Sequence, residues 1–153
     1  MLRQATDGEI PAVTALIAAH PLSLLRQSED WLREVAAAEA KGVLIWDRGG
    51  IDGVAVLEWA YPGVVYLINL GLAVPGRGEG KALIAAVQDH VFGGLGAHRM
   101  FCDIAFDNGA ALSAFRKAGF TQEGTMRECW KRGETWVDCH AFGMLAREWR
   151  ARG

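Results

Sequence analysis

Two hydrophobic periods alternate along this chain, and together they outline its elements. After a short first strand, Ile10, Val13 and Ile17 recur at helical spacing behind a capping box, Thr6-x-x-Glu9, with Pro11 suited to a first turn. Ser28 is placed to cap a second helix. There Leu32, Val35, Ala36 and Ala40 fall at i, i+3, i+4 and i+8, Glu39 interrupts the stripe at i+7, and Gly42 is expected to stop the helix. The period then shortens to that of strands. Val43 to Trp46, Ile51 to Ala60 and Val64 to Leu72 read as three antiparallel strands, turned by Arg48-Gly49-Gly50 and Tyr61-Pro62-Gly63. Leu83, Val87 and Val91 restore the helical period from about Glu79 to Phe92, and Gly93-Gly94 ends it before a strand from Arg99 to Ile104. Asn108 opens a further helix with Leu112 and Phe115 inward, Arg116 and Lys117 at its negative pole and Gly119 past its end. A long hairpin turned at Arg132-Gly133 closes the chain. These elements predict an α+β fold, a mixed and mostly antiparallel sheet of about seven strands flanked by about four helices.

Composition narrows the class. With 153 residues, 51% of them apolar, residues 1–153 suit one domain with an ordinary core. A net charge of −2, from 16 basic and 18 acidic residues, gives no footprint for nucleic acid. The basic run from Arg147 to Arg152 reads as a solvated end. Cys102, Cys129 and Cys139 lie in strand-like runs without metal-ligand spacing to any histidine, so free thiols, a reducing compartment and no metal are expected. No apolar signal region or membrane-length run appears, and a cytoplasmic location is the expectation.

The chemistry concentrates where the third strand gives way to a helix, in Leu72-Ala73-Val74-Pro75-Gly76-Arg77-Gly78-Glu79-Gly80-Lys81-Ala82-Leu83. Glycines at 76, 78 and 80 permit positive backbone dihedrals and close approach, so successive N–H groups can converge on an anion at the positive end of the next helix. A phosphate-bearing ligand follows. The spacing is neither that of the dinucleotide fingerprint nor that of a Walker loop, since Lys81 is followed by Ala82.

The order Arg77-x-x-Gly80-x-Ala82 resembles the acetyl-coenzyme A signature of the GNAT N-acetyltransferases, written Arg/Gln-x-x-Gly-x-Gly/Ala. Downstream, Asn108-x-x-Ala111-x-x-x-Phe115-x-Lys117-x-Gly119-Phe120 is similar to the second block of that family, with Phe115 in place of its usual Tyr. Glu123-Gly124-x-x-Arg127, Gly133, Asp138, Leu145 and Glu148-Trp149 resemble the final hairpin of the RimJ/RimL branch, which acetylates ribosomal-protein N-termini. The resemblance implies a pantetheine slot between two splayed strands. It places Leu72, Ala73 and Val74 against the pantetheine and acetyl carbonyl, with a backbone N–H near Leu72 for the oxyanion. It sets Arg77, Gly78, Glu79, Gly80, Lys81 and Ala82 around the pyrophosphate, with Asn108 and Phe115 also on the ligand.

Acetyl transfer to an amine needs a carboxylate to take a proton. Asp103, on the strand bordering the splay, and Glu58, which interrupts the strand from Val54 to Trp59, are the candidates, with Asp103 preferred. Each has a plain alternative: Asp103 as a cap of the following loop, Glu58 on a solvent-facing edge. Phe115 supplies no hydroxyl for the departing thiolate, a modest loss because that thiolate has a low pKa. Cys102 should face the core, opposite Asp103, so direct attack by the amine is expected. The acceptor pocket falls to residues 20–27 and the final hairpin, with Trp31, Tyr61, Trp130 and Trp136 as candidate linings. The hairpin favours a protein N-terminal α-amine; small amines and a non-catalytic acetyl-coenzyme A module are the alternatives. Exposed strand edges offer pairing into a homodimer.

Overall fold

A computed structural model describes all 153 residues. One seven-stranded sheet runs in the order β1 (Leu2–Gln4), β2 (Val43–Asp47), β3 (Ile51–Tyr61), β4 (Val64–Leu72), β5 (Arg99–Ala105), β7 (Thr135–Leu145), β6 (Thr121–Arg132). All neighbours are antiparallel except β4 and β5, which run parallel. The expected strand count, mixed character and hairpins are all present.

Helices α1 (Ile10–Ala18) and α2 (Glu29–Ala37) cover one face of β2, β3 and β4. Ile10, Val13, Ile17, Leu32 and Val35 pack there against Val43, Ile45, Val54 and Val56. Helices α3 (Gly80–Gln88) and α4 (Gly109–Lys117) cover the other face, where Leu83, Ile84, Val87, Leu112 and Phe115 meet Leu57, Leu67, Met100, Cys102 and Phe142. Because cross-strand partners share a face, β5 and β7 present Phe101, Asp103, Cys139 and Ala141 on the side that α1 and α2 leave uncovered. That half-open face is the second wall of the site.

Three local expectations are corrected. α2 ends at Ala37, with Ala38 extended and Lys41 left-handed at φ 47, so Ala40 lies outside the helix and packs in the α3 and α4 core. Gly80 has no positive φ, unlike Gly76 at 85 and Gly78 at 76, because it already begins α3. The basic end is not a free tail but a helix, α5 (Ala146–Ala151). Trp149 stacks on Phe92 at 5.7 Å and donates to Asp89, and Arg152 donates to the Lys117 carbonyl at 2.9 Å, which seats this helix on the segment that follows α3 and on the end of α4. No helix is long and apolar enough to cross a membrane.

Candidate active site

The parallel pair carries the opening. β4 and β5 pair only from Val64↔Arg99 to Leu67↔Cys102. Beyond that point β4 stays with β3 as far as Gly53↔Leu72, while β5 stays with β7 as far as Ala105↔Cys139, and the two strands part. A bulge marks the parting: Val56 pairs with Asn69 and Leu57 with Leu67, leaving Ile68 as an extra residue.

Into this gap opens a cleft of about 250 Å³, lined by Leu70, Leu72, Gly76, Gly78, Asn108 and Phe115 among others. A narrower recess continues inward past Leu67, Asp103 and Ala111. Outward, between α3 and α4, a space of about 540 Å³ is bordered by Gly78, Gly80, Lys81, Ser113, Lys117 and Arg152. Three cations and the free N–H groups of the first turn of α3 make this outer space a fit for phosphates. Glu79, at the same helix start, is held by Arg48 at 3.1 Å, which offsets a charge that would repel an anion.

The predicted ligand residues divide. Leu72, Gly78, Gly80, Asn108 and Phe115 line the cleft, and Lys81 lines its outer extension. Ala73 and Val74 do not: the Ala73 N–H donates to the Asp52 carbonyl at 2.8 Å, and Val74 is half exposed to solvent. Arg77 and Ala82 are exposed and outside the lining. Asn108 also caps α4, its side chain accepting from the Ala111 N–H at 3.2 Å. Phe115 meets Phe120 edge to face at 5.0 Å, so the ring that replaces Tyr helps to close the core beneath the cleft.

Asp103 lines the inner recess and also a second cavity, of about 110 Å³, on the uncovered face of the sheet. Tyr66 donates its hydroxyl to Asp103 Oδ2 at 2.7 Å and stacks on Phe101 with ring centroids 4.7 Å apart. Burial first, and then the Asp103 carboxylate, push the Tyr66 hydroxyl far above its ordinary pKa. It therefore stays a donor across the working range and holds Asp103 through Oδ2. Glu58 stands directly opposite Tyr66 in register and lines an adjoining surface groove with Trp31 and Gln27, outside the lining of the cleft. Cys102 points into the core, where burial pushes its thiol upward, as the alternation predicts.

Two clamps that the pattern did not reveal hold the roof. Asn69, buried in β4, accepts from the Leu25 N–H and donates to the Leu25 carbonyl, both at 2.8 Å, and donates to Gln27. Arg132 grips Asp107 with its two terminal guanidinium nitrogens, lowering that carboxyl's pKa, and donates to the Leu22 carbonyl at 2.9 Å. Together they fix the segment between α1 and α2 against β4 and the final hairpin. Ser23 on that segment borders the cleft, the recess and the second cavity alike. A single polar residue within the apolar run of β4 was the available sign of Asn69. Of the candidate aromatic linings, Trp130 borders the second cavity and Trp31 the groove, whereas Tyr61 and Trp136 point to solvent. Asp138 and His140 serve the hairpin, through the Glu128 N–H and Thr125.

No family model matches the chain. Solved structures do. Spermidine N-acetyltransferase from Vibrio cholerae, in complex with CoA and spermine, is similar at a TM-score of 0.80 over 98% of this chain and 97% of that one, with 18% identity. yncA of Salmonella typhimurium, with its cofactor acetyl-CoA, matches at 0.77 over 95% and 93%, with 19% identity. The ribosomal-protein-S18-alanine N-acetyltransferase from Escherichia coli matches at 0.77 over 95% and 93%, with 14% identity. The chain therefore has the GNAT acetyltransferase fold. Two of these neighbours are named for different acceptors, spermidine and ribosomal protein S18, so the shared fold does not by itself specify one.

Proposed function

We propose that this protein is an acetyl-coenzyme A-dependent N-acetyltransferase acting on a primary amine by direct attack, with Asp103 as general base. The observation that carries the reading is the position of Asp103, which borders both the recess between the parted strands and the cavity on the uncovered face. Acetyl-coenzyme A would supply an activated thioester. Gly76, Gly78, Gly80 and Lys81 are suited to its pyrophosphate, Lys117 and Arg152 to further phosphate, and the unpaired edge of β4 beyond Leu67 to its pantetheine arm.

An amine acceptor is protonated at neutral pH and must lose a proton before it attacks. Asp103 takes that proton through the oxygen that Tyr66 leaves free. The high pKa of the Tyr66 hydroxyl makes it a poor proton donor to a thiolate, so Tyr66 holds the base in place rather than acting as the acid. Departure of a coenzyme A thiolate asks little of an acid, which agrees with Phe115 in the cleft.

A protein N-terminal α-amine is the acceptor that the RimJ/RimL-like final hairpin favours. A small cationic amine is the second reading, supported by Glu58 beyond Tyr66: the groove and the cavity share Leu25, Tyr66 and Ile68, so one path passes both carboxylates. The spermidine enzyme among the neighbours gives this reading further weight.

Thermal unfolding with acetyl-coenzyme A beside ATP and NAD tests the donor. A ligand at about 100 times its Kd should stabilise the fold by roughly 2.7 kcal/mol. A shift with acetyl-coenzyme A alone supports the reading; no shift, or an equal shift with ATP, overturns it. A panel of N-terminal peptides and diamines then separates the two acceptors.

A further inference from the structure

β6 and β7 pair at Met126↔Cys139 and resume at Trp130↔Val137, so four steps along β6 answer two along β7. The extra residues form a bulge. Within it Glu128 holds a left-handed backbone at φ 47, rare for a residue with a side chain, and its N–H donates to Asp138 Oδ1 at 2.8 Å. Strict alternation from Met126 would turn Cys129 away from the face that carries Cys139. The bulge instead brings both cysteines to the wall of the 110 Å³ cavity that holds Asp103 and Tyr66.

The two thiols line one small cavity and differ in access. Cys139 is buried and Cys129 exposed. Burial first, and then the neighbouring Cys129 thiol, push the Cys139 thiol up to about 12, so Cys139 keeps its proton. Arg132, with its Nε buried and unpartnered, favours negative charge at Cys139. Cys102 lies in the core on the opposite face of the sheet and takes no part.

We propose that Cys129 and Cys139 form a modification site that low-molecular-weight disulfides oxidise to a cross-strand disulfide, closing the acceptor cavity. Cys129, having given its proton to solvent, attacks one sulfur of R–S–S–R; the S–S bond breaks, Cys129–S–S–R forms, and the first R–S⁻ leaves and is protonated. Cys139 then gives up its proton and attacks the Cys129 sulfur, releasing the second R–S⁻, which is protonated in turn. Two protein S–H groups are oxidised to one S–S bond, and the reagent is reduced to two thiols. The mixed disulfide sets R beside Asp103, and the closed disulfide ties the bulge to β7, so either state alters the wall an amine must pass. The effect on transfer rests on reading this cavity as the acceptor site.

The test uses the full-length protein and glutathione disulfide, read by intact mass, non-reducing peptide mapping and acetyl transfer before and after treatment. The expected result is a loss of about two mass units, a Cys129 to Cys139 cross-link, and a fall in transfer of at least about tenfold that dithiothreitol reverses. In Cys129→Ser and Cys139→Ser the cross-link should be absent, and the ratio of treated to untreated rates in Cys129→Ser should stay near one. Failure of the cross-link to form, or its formation with unchanged transfer, overturns the proposal. If the reduced protein transfers to no amine, the functional reading falls by itself, and the mass still decides the disulfide.

Discussion

β3 and β6 are nearly equal in length, eleven and twelve residues, yet Gly53 to Leu57 of β3 are all buried and Thr121 to Cys129 of β6 are all exposed. β3 sits between β2 and β4 with helices on both faces, so Val54 and Val56 enter one core while Ala55 and Leu57 enter the other. β6 is an edge strand with a single neighbour, and its charged side chains Glu123, Arg127, Glu128 and Lys131 discourage further pairing. The first half of the chain thus builds a platform that tolerates little change. The second half sets Phe101, Asp103 and Cys139 on a face that α1 and α2 leave uncovered.

The largest effect should come from the open side. Asp103→Asn is expected to lower kcat/KM for acetyl transfer by about 10²- to 10⁴-fold while leaving the urea midpoint almost unchanged. Adding Tyr66→Phe in that background should cost little more, because the hydroxyl acts through the carboxylate. A rate within tenfold of wild type would remove Asp103 from the mechanism. On the platform side the pattern reverses. Leu57→Ala, at a fully buried position, should cost about 2 to 5 kcal/mol of stability, against roughly 0.5 or less for Arg127→Ala on β6. Similar losses at the two sites, measured by urea unfolding, would break the contrast.

What could be read from the sequence follows the same division between local and distant causes. Gly76 and Gly78 do take the left-handed backbone that marks the loop, and Ser28 and Asn108 do cap α2 and α4, because each depends on neighbours within a few residues. The choice between Asp103 and Glu58 could not be made locally, since each is one carboxylate in a strand-like run. Register separates the two, by setting Glu58 and Asp103 on opposite sides of Tyr66. Asn69 and Arg132 close contacts across 44 and 110 residues, and Cys129 is re-aimed by a bulge whose only local mark is Glu128. Arg147 to Arg152 look like a solvated tail until Phe92 and the Lys117 carbonyl are there to receive Trp149 and Arg152.

The smallest predicted effect tests whether the platform is tied at its far edge by charge as well as by packing. Arg3 on β1 donates to both carboxylate oxygens of Glu9, at 2.9 and 2.8 Å, and to Asp47 at 2.8 Å, joining the edge strand, the start of α1 and the end of β2. The bond from Arg3 holds the Glu9 carboxyl down, from an ordinary 4.5 to about 2, with the Thr6 N–H adding to it. A carboxyl whose pKa is lower in the folded state binds fewer protons there than in the unfolded chain. Its contribution is therefore complete above about pH 4.5 and drains away as the pH falls toward 2. Glu9→Gln should flatten the fall in stability over that window and leave the curve above it nearly parallel to wild type, as read by urea midpoints between pH 2 and 7. An unchanged slope would mean that apolar packing alone holds this edge of the sheet, and that the division between a packed half and an open half needs no charged tie.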